Sequence, residues 1–217
     1  MTGGKKPTAV ACGGGGRILL WLFAGAALLL SACGADQPQL AHLDRDAVIL
    51  AFGDSLTHGT GVDPEQSYPT VLAGLIGRKV VNAGIPGEIT RNGLQRLPGV
   101  LDEVRPKLVI LCHGGNDLLR RLDPKLAERN LREMVRLIRE YGAEVVLVGV
   151  PAPSLLLGTA KFYQRIADDL AIPIESDILP ELLGDNRYKS DAVHPNAAGY
   201  RRLANALAVL LKARGAI

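Results

Sequence analysis

The sequence predicts a three-layer α/β/α fold of the flavodoxin-like type, built on a five-stranded parallel sheet. The first observation is that five short runs rich in valine, isoleucine and leucine alternate with helix-like segments. The second is that these runs stop at glycines or polar loops, which is typical of buried parallel strands. Alternating strands and helices give a parallel sheet with right-handed crossovers and helices on both faces.

The elements can be placed in order along the chain. Strands are predicted at residues 48–52, 79–82, 107–112, 144–150 and 172–175, and residues 57–67 and 177–190 are predicted to be irregular. Helices are predicted at residues 68–76, from about 90 to 104, and at 124–141, 160–170 and 196–214, with Pro98 and Gly99 breaking or kinking the second. The third helix should bury one apolar stripe, made of Ala127, Leu131, Met134, Val135, Ile138 and Tyr141.

The N-terminus predicts export. Lys5, Lys6 and Arg17 precede an uncharged apolar run at residues 18–30, which is typical of a secretory signal and short of the roughly 20 residues that span a membrane. The Leu-Ser-Ala-Cys that ends it resembles a bacterial lipobox, in which Cys33 is lipidated. We therefore expect a signal peptide at 1–32, a lipidated tether at 33–46 and the folded α/β domain at 47–217. An uncleaved anchor helix, or cleavage with a free Cys33, is the alternative.

Charge and cysteine content limit which classes of partner and which disulfides can be expected. Without residues 1–32, 217 − 32 = 185 residues remain, carrying 25 − 3 = 22 basic and 22 acidic side chains, so charge gives no reason to expect nucleic acid. Cys112 is then the one cysteine besides Cys33, so no internal disulfide is expected. We expect a monomer that is anchored facing the periplasm or released into it. Gly34 in place of aspartate favours the outer membrane.

Polar residues that follow the predicted strands suggest serine hydrolysis. Ser55, Asn116 and the pair Asp191/His194 lie in loops that a parallel sheet brings to one edge. A serine needs a base to become a nucleophile, His194 can act as that base, and Asp191 can hold its second ring nitrogen. The Ser55 N–H, a glycine N–H of the loop after the second strand and the Asn116 amide can donate to an oxyanion.

Four blocks carry a resemblance to a known family. GDSLT (53–57), NAGIPG (82–87), GGND (114–117) and DAVHP (191–195) resemble the blocks of the SGNH (GDSL) hydrolases. SYP (67–69) and NGLQRLP (92–98) are similar to the arylesterase, acyl-CoA thioesterase I and lysophospholipase subgroup. The resemblance implies Ser55 as nucleophile, Asp191 and His194 as the other triad members, and Ser55, Gly87 and Asn116 as oxyanion donors, with Gly84 as the competing glycine.

The expected function is a serine esterase acting on carboxylic esters, with acyl thioesters and lysophospholipids as further substrates. Acyl chains are expected near Leu118 and near Leu155, Leu156 and Leu157, although these three leucines are also consistent with core packing. An O-acetyl esterase acting on envelope polysaccharide is the alternative enzyme. A non-catalytic flavodoxin-like binding lipoprotein is the alternative class, and the complete set of polar residues argues against it.

Several polar residues near the blocks are expected to be structural. His58 and His113 are interpreted as hydrogen-bonded bystanders, and Asp54 and Asp117 as braces of their loops. Cys112 and Tyr68 are expected in the core. Signatures for metal or nucleotide binding, such as H-E-x-x-H, C-x-x-C and a glycine-rich phosphate loop, do not occur, so no cofactor or metal is implied.

Overall fold

The computed structural model describes residues 1–6, 8, 38–152 and 158–217. The chain divides into two units, residues 1–36 and 37–217, and the described residues of the first have no regular secondary structure. Within the described ranges, no helix has both the length and the apolar character needed to cross a bilayer. Cys33 and the predicted acyl-chain residues 155–157 lie outside these ranges.

One parallel sheet forms the centre of this unit. Its strands are β1 (Val48–Gly53), β2 (Lys79–Gly84), β3 (Leu108–Cys112), β4 (Glu144–Val148) and β5 (Ile174–Glu175). They pair in the order β2–β1–β3–β4–β5, and every pairing is parallel. Strands β1 and β3 lie inside the sheet and are almost entirely buried, which explains why their sequences are continuous apolar runs. The predicted fold class is confirmed.

Helices cover the sheet in two groups. They are α1 (Ser55–His58), α2 (Tyr68–Ile76), α3 (Thr90–Val104), α4 (Gly115–Leu119), α5 (Pro124–Glu140), α6 (Lys161–Leu170), α7 (Ile178–Gly184) and α8 (Ala197–Ala213), with single 3₁₀ turns at Pro64–Gln66 and Asn186–Tyr188. Helix α2 packs against α8, whereas α5 packs against α3 and α6. These two groups are the outer layers of the α/β/α arrangement.

The structure corrects several predicted elements. Helix α3 continues through Pro98 without a break, because Leu97 and Leu101 are fully buried and tertiary packing provides most of a helix's stability. Residues 177–190, predicted to be irregular, contain α7, whose apolar residues pack into the core. This helix contains Pro180, a residue that is unfavourable inside helices but is tolerated in a first turn. Residues 57–67 contain part of α1 and a 3₁₀ turn, and Tyr141 is 45% exposed because α5 ends one residue before it.

Strand limits also differ from the prediction. β2 runs to Gly84, two residues further than predicted, β4 ends at Val148 and β5 begins only at Ile174. At the start of the unit, Leu40 and Leu43 are buried, and their N–H groups donate to Arg214 O and Ala216 O, each at 2.9 Å. The folded unit therefore begins before residue 47, inside the stretch interpreted as a tether.

Candidate active site

Ser55 lies at the carboxyl end of the central strand β1, as the first residue of α1. Gly53, the last residue of β1, pairs with Cys112 of β3. A Cβ atom on Gly53 would lie 2.0 Å from the Cys112 carbonyl oxygen and 2.3 Å from the Thr57 hydroxyl. Only glycine fits between these neighbours, and this close approach sets the turn that presents Ser55.

Asp54 braces that turn. Its side chain is 1% exposed, and its Oδ1 accepts a hydrogen bond from Leu56 N–H at 3.1 Å, which caps α1. Its Oδ2 has no hydrogen-bond partner among the described residues. Burial raises the pKa of this carboxyl above its ordinary value. The local bond agrees with the bracing role expected from the sequence.

Ser55, His194 and Asp191 form a continuous chain of hydrogen bonds. His194 Nε2 lies 3.0 Å from Ser55 Oγ, and His194 Nδ1 lies 2.7 Å from Asp191 Oδ2. Hydrogen bonds from the imidazole and from two backbone N–H groups outweigh the opposing effect of burial and hold the pKa of Asp191 below its ordinary value. Because an ionised carboxylate can only accept, the proton of a neutral imidazole lies on Nδ1, and Nε2 is left to accept from the Ser55 hydroxyl.

The loop that carries Asp191 and His194 is closed by its own backbone. Asp191 Oδ1 accepts hydrogen bonds from Val193 N–H at 2.8 Å and His194 N–H at 2.9 Å. Lys189 and Pro195 form an isolated antiparallel bridge across the base of the loop, and α8 starts directly after it. The His194 side chain is 16% exposed and that of Asp191 is 52% exposed, so water reaches the carboxylate.

Gly84 at the end of β2 and Gly87 in the loop after it differ in the hydrogen bonding of their N–H groups. Gly84 N–H donates to Asn82 Oδ1 at 3.0 Å, and a Cβ on Gly84 would lie 2.1 Å from His58 N. Gly87 has a φ of 76°, and within the described part of the chain its N–H has no hydrogen-bond acceptor. Gly84 therefore allows the close approach of the His58 backbone, and its N–H is already hydrogen-bonded. The N–H of Gly87, by contrast, is available to a ligand.

Asn116 is held in α4 by the neighbouring loop. Its Nδ2 donates one hydrogen bond to Glu88 O at 3.0 Å. This bond fixes the orientation of the amide and leaves the second N–H of Nδ2 for a substrate. The N–H of Ser55, at the start of α1, likewise has no acceptor among the described residues. Three donors are thus available at the edge where the strands end.

The remaining polar residues take structural positions. Asp117 is buried and accepts from Thr90 N–H at 2.8 Å and from Thr90 Oγ1 at 2.6 Å. His113 is fully buried in a hydrogen-bond network, whereas His58 is exposed at the end of α1. Cys112 is fully buried, and burial raises its thiol pKa well above the ordinary value. Tyr68 is fully buried, so the expectation that it lies in the core is confirmed.

A cleft of about 270 Å³ opens beside Ser55. Ser55, His194 and Asn116 line it together with apolar residues, which are Leu56, Leu119, Val150, Pro151, Ala152, Leu183, Ala192 and Val193. The mixture of a few polar groups with an apolar wall is typical of sites for small organic substrates.

Leu118, which we predicted to line the pocket, packs against the core instead, and Leu119 lines the cleft. Helical spacing explains the correction, because Leu119 is three residues after Asn116 and shares its face, whereas Leu118 does not. That signal was present in the sequence once α4 is recognised as a helix. Leu183 was missed because α7 was not predicted.

Comparison with known proteins identifies relatives. A sequence profile of the GDSL-like Lipase/Acylhydrolase family matches residues 51–202. Esterase TesA of Pseudomonas aeruginosa is 32% identical over 191 residues, covering 82% of this chain and 93% of that protein. Thioesterase 1/protease 1/lysophospholipase L1 of Escherichia coli K12 is 30% identical over 156 residues, covering 68% of this chain and 75% of that protein.

Solved structures agree with the sequence comparisons. A crystal structure of TesA superposes with a TM-score of 0.68 at 30% identity and covers 76% of this chain and 98% of its own. AlinE4, described as an SGNH-hydrolase family esterase, superposes with a TM-score of 0.60 at 33% identity and covers 78% of this chain and 97% of its own.

Proposed function

This chain belongs to the GDSL-like lipase/acylhydrolase family and is an ester-hydrolysing enzyme, and from this premise we propose that Ser55 is its nucleophile. The observation that carries the proposal is the unbroken chain of hydrogen bonds from Ser55 Oγ through His194 to Asp191, at 3.0 and 2.7 Å. A serine hydroxyl is unreactive unless a base accepts its proton. His194 is in hydrogen-bond contact with it and has the required tautomer.

In the acylation step, Ser55 Oγ attacks the ester carbonyl while its proton passes to His194 Nε2. Asp191 stabilises the imidazolium that forms, because its carboxylate is ionised and bonded to Nδ1. His194 then returns the proton to the departing alcohol, and the acyl group is left on Ser55. In the deacylation step, water attacks the acyl carbonyl while His194 Nε2 accepts one of its protons. His194 then returns that proton to Ser55 Oγ as the bond between Oγ and the acyl carbon breaks, so the carboxylic acid leaves and the Ser55 hydroxyl is regenerated.

We assign the oxyanion donors to Ser55 N–H, Gly87 N–H and Asn116 Nδ2. Each has an N–H without an acceptor among the described residues, whereas the N–H of Gly84 is engaged by Asn82. Donors that are already oriented stabilise the charge that develops on the carbonyl oxygen. Loss of one such donor raises the barrier by about 3–4 kcal/mol.

The substrates we propose are carboxylic esters with an aryl or alkyl leaving group, with acyl thioesters and lysophospholipids as further candidates. The wall formed by Leu119, Val150 and Leu183 suits an acyl chain. The cleft volume of about 270 Å³ is close to the lower end of the roughly 300–1,000 Å³ that is usual for small-molecule sites. This size suits the acyl group of a substrate rather than a whole lipid.

Hydrolysis of a p-nitrophenyl ester series from acetate to palmitate tests this function. We expect turnover with an optimum longer than acetate, abolished in Ser55→Ala, and labelling of Ser55 by a fluorophosphonate. Gly84→Ala is unsuitable as a control, because its Cβ would meet the backbone of His58. Activity that survives Ser55→Ala would refute the assignment of the nucleophile. Activity restricted to acetate would favour the polysaccharide O-acetyl esterase.

We also propose that the protein is exported and lipidated at Cys33. The support is the basic head, apolar run and Leu-Ser-Ala-Cys of residues 1–33. Metabolic labelling with a radioactive fatty acid tests this directly. Wild type should incorporate the label and Cys33→Ser should not, and label retained by Cys33→Ser would contradict the assignment.

A further inference from the structure

A buried polar cluster lies beside the loops that carry Gly87 and Asn116. Its members are Glu88, Arg96 and His113. Arg96 Nε contacts both Glu88 carboxylate oxygens, at 2.7 and 3.0 Å, and Arg96 Nη2 contacts Oε2 at 2.7 Å. His113 Nε2 lies 3.1 Å from the same Oε2. His113 is fully buried and Glu88 is 7% exposed, so this carboxylate depends on its two partners in place of water.

The hydrogen bonds determine the protonation of His113. Gly114 N–H donates to His113 Nδ1 at 2.9 Å, so Nδ1 accepts and carries no proton. The proton of the neutral ring is therefore on Nε2 and is donated to Glu88. Burial opposes ionisation of Glu88, but the bonds from His113 and Arg96 outweigh it and lower its pKa. His113 is thus a neutral bridge between a backbone amide and a buried carboxylate.

The absence of a side chain at Gly93 leaves space for the His113 imidazole. A Cβ on Gly93 of α3 would lie 2.4 Å from His113 Nε2 and 2.8 Å from its Cδ2. On the other side, the Tyr163 hydroxyl donates to His113 O at 2.8 Å. The imidazole is therefore held by its two hydrogen bonds and packed closely against Gly93, and the Tyr163 bond holds the backbone that carries it.

The cluster connects the two segments that supply oxyanion donors, which are the loop after β2 with Gly87 and the first turn of α4 with Asn116. Glu88 directly follows Gly87, and its carbonyl oxygen holds the Asn116 amide at 3.0 Å. His113 follows β3 directly and precedes Asn116 by three residues. Its bond to the Glu88 carboxylate is a second link between the same segments, and the carboxylate end of that link is held by Arg96.

Arg96 extends the connection to the strands. Its Nη2 also donates to Gly53 O at 3.2 Å and to Ala83 O at 2.9 Å, and its guanidinium lies 4.0 Å from the Phe52 ring centroid. The ends of β1 and β2 are therefore bonded to Arg96, and Arg96 and His113 are both bonded to the Glu88 carboxylate. A displacement of Glu88 would be transmitted to Gly87 and Asn116 together.

We propose that His113 is a positioning residue whose bond to Glu88 sets the distance between the Gly87 N–H and the Asn116 amide in the oxyanion hole. The proposal rests on the function proposed above. Oxyanion donors act on charge that exists in the transition state and not in the bound ester, so their displacement lowers kcat with little change in KM. Misplacement by about 1 Å is enough to lower a rate about 100-fold.

Three substitutions separate the two bonds of His113. His113→Gln places an amide nitrogen close to the position of Nε2 and keeps a donor for Glu88. His113→Asn keeps an acceptor for Gly114 N–H but is too short to reach Glu88, and His113→Leu removes both bonds. We expect kcat to fall about 10- to 100-fold in the Asn and Leu variants, whereas the Gln variant stays within about threefold of wild type and KM changes less than about twofold throughout.

Kinetics are measured on the full chain with a p-nitrophenyl ester, and rates are divided by the number of sites that a fluorophosphonate titrates, so unfolded protein does not count. Tyr200→Phe is the control, because it removes one part-buried hydrogen bond, Tyr200 Oη to Thr60 O at 3.0 Å, that involves neither the loop of Gly87 nor α4. This control should lower Tm and leave kcat per titrated site unchanged.

The outcomes are distinct. Unchanged kcat per site in the Asn and Leu variants, or a Gln variant as slow as the Leu variant, would overturn the proposal. If the Leu variant does not fold, the Gln and Asn pair decides. A wild type that neither hydrolyses esters nor reacts with the phosphonate at Ser55 would instead refute the proposed function.

Discussion

Replacing Asp191 by asparagine tests whether its carboxylate orients the base or only braces the loop. Asp191 Oδ1 accepts from two backbone N–H groups, those of Val193 and His194, and Oδ2 accepts from His194 Nδ1. In Asp191→Asn the amide oxygen can keep the two backbone bonds, which places the NH₂ group against Nδ1. Two donors cannot share a bond, so the imidazole proton moves to Nε2, where it faces Ser55 Oγ. His194 then cannot accept the proton of Ser55.

The magnitude follows from the exposure of the carboxylate. In a serine protease with a buried aspartate, this substitution lowers kcat about 10⁴-fold, which is about 5.4 kcal/mol of barrier. The Asp191 side chain is 52% exposed, so water competes as an acceptor for Nδ1–H and restores the active tautomer in a fraction of molecules. We therefore expect a smaller loss, about 100- to 1,000-fold in kcat/KM.

The assay compares Asp191→Asn with Asp191→Ala on one p-nitrophenyl ester, with thermal unfolding measured alongside. If the carboxylate orients the imidazole, the Asn variant loses activity although its loop is intact. If Asp191 only braces the loop, the Asn variant behaves as wild type and the Ala variant, which lacks both backbone bonds, is the damaged one. An Asn variant that keeps more than about a tenth of wild-type kcat/KM would refute the reasoning.

Three further predictions concern Gly53, which positions Ser55, then Leu119 in the cleft wall, and the buried carboxyl group of Glu88. Gly53→Ala should lower the unfolding free energy in urea by about 3 kcal/mol, since its Cβ would lie 2.0 Å from a backbone carbonyl of β3. Leu119→Asp should reduce hydrolysis of long-chain esters more than that of acetate, because Leu119 lines the cleft. Glu88 has a pKa below its ordinary value of 4.5, so it stabilises the fold above pH 4.5 and this contribution is lost as the pH falls through the lower folded-state value. Urea unfolding at a series of acidic pH values should therefore show a larger loss of stability in wild type than in Glu88→Gln, since other carboxylates with a lowered pKa, such as that of Asp191, contribute equally in both proteins.

The Gly53 and Leu119 predictions each have a matched control. Gly74 lies in α2 with no atom near its ideal Cβ position, so Gly74→Ala should stabilise by about 0.5–1 kcal/mol. If Gly53→Ala is equally harmless, the close approach to β3 is wrong. Leu122 is 40% exposed and does not line the cleft, so Leu122→Asp should leave the chain-length ratio unchanged. An identical shift in both leucine variants would mean that charge in this segment, and not the cleft wall, causes the effect.

The fold class followed from the sequence because its signals are local. An apolar run such as that of β1 and the periodic stripe of α5 each lie within a few turns of chain, and the order of elements then restricts the topology. The errors occurred where packing overrode local preference. Pro98 lies inside a continuous helix because the apolar face of α3 is buried, and α7 forms although Pro180 is in its first turn.

The residue types of the candidate site were also predictable, because acyl transfer needs a nucleophile, a base and donors, and each lies directly after a strand or in the last loop. What only the tertiary structure decided is which atoms meet. His194 contacts a serine 139 residues away, Leu119 and not its neighbour lines the cleft, and His113 bonds to Glu88 on another loop. Such contacts depend on how elements that are far apart in sequence pack against one another, and local sequence patterns carry no information about that packing.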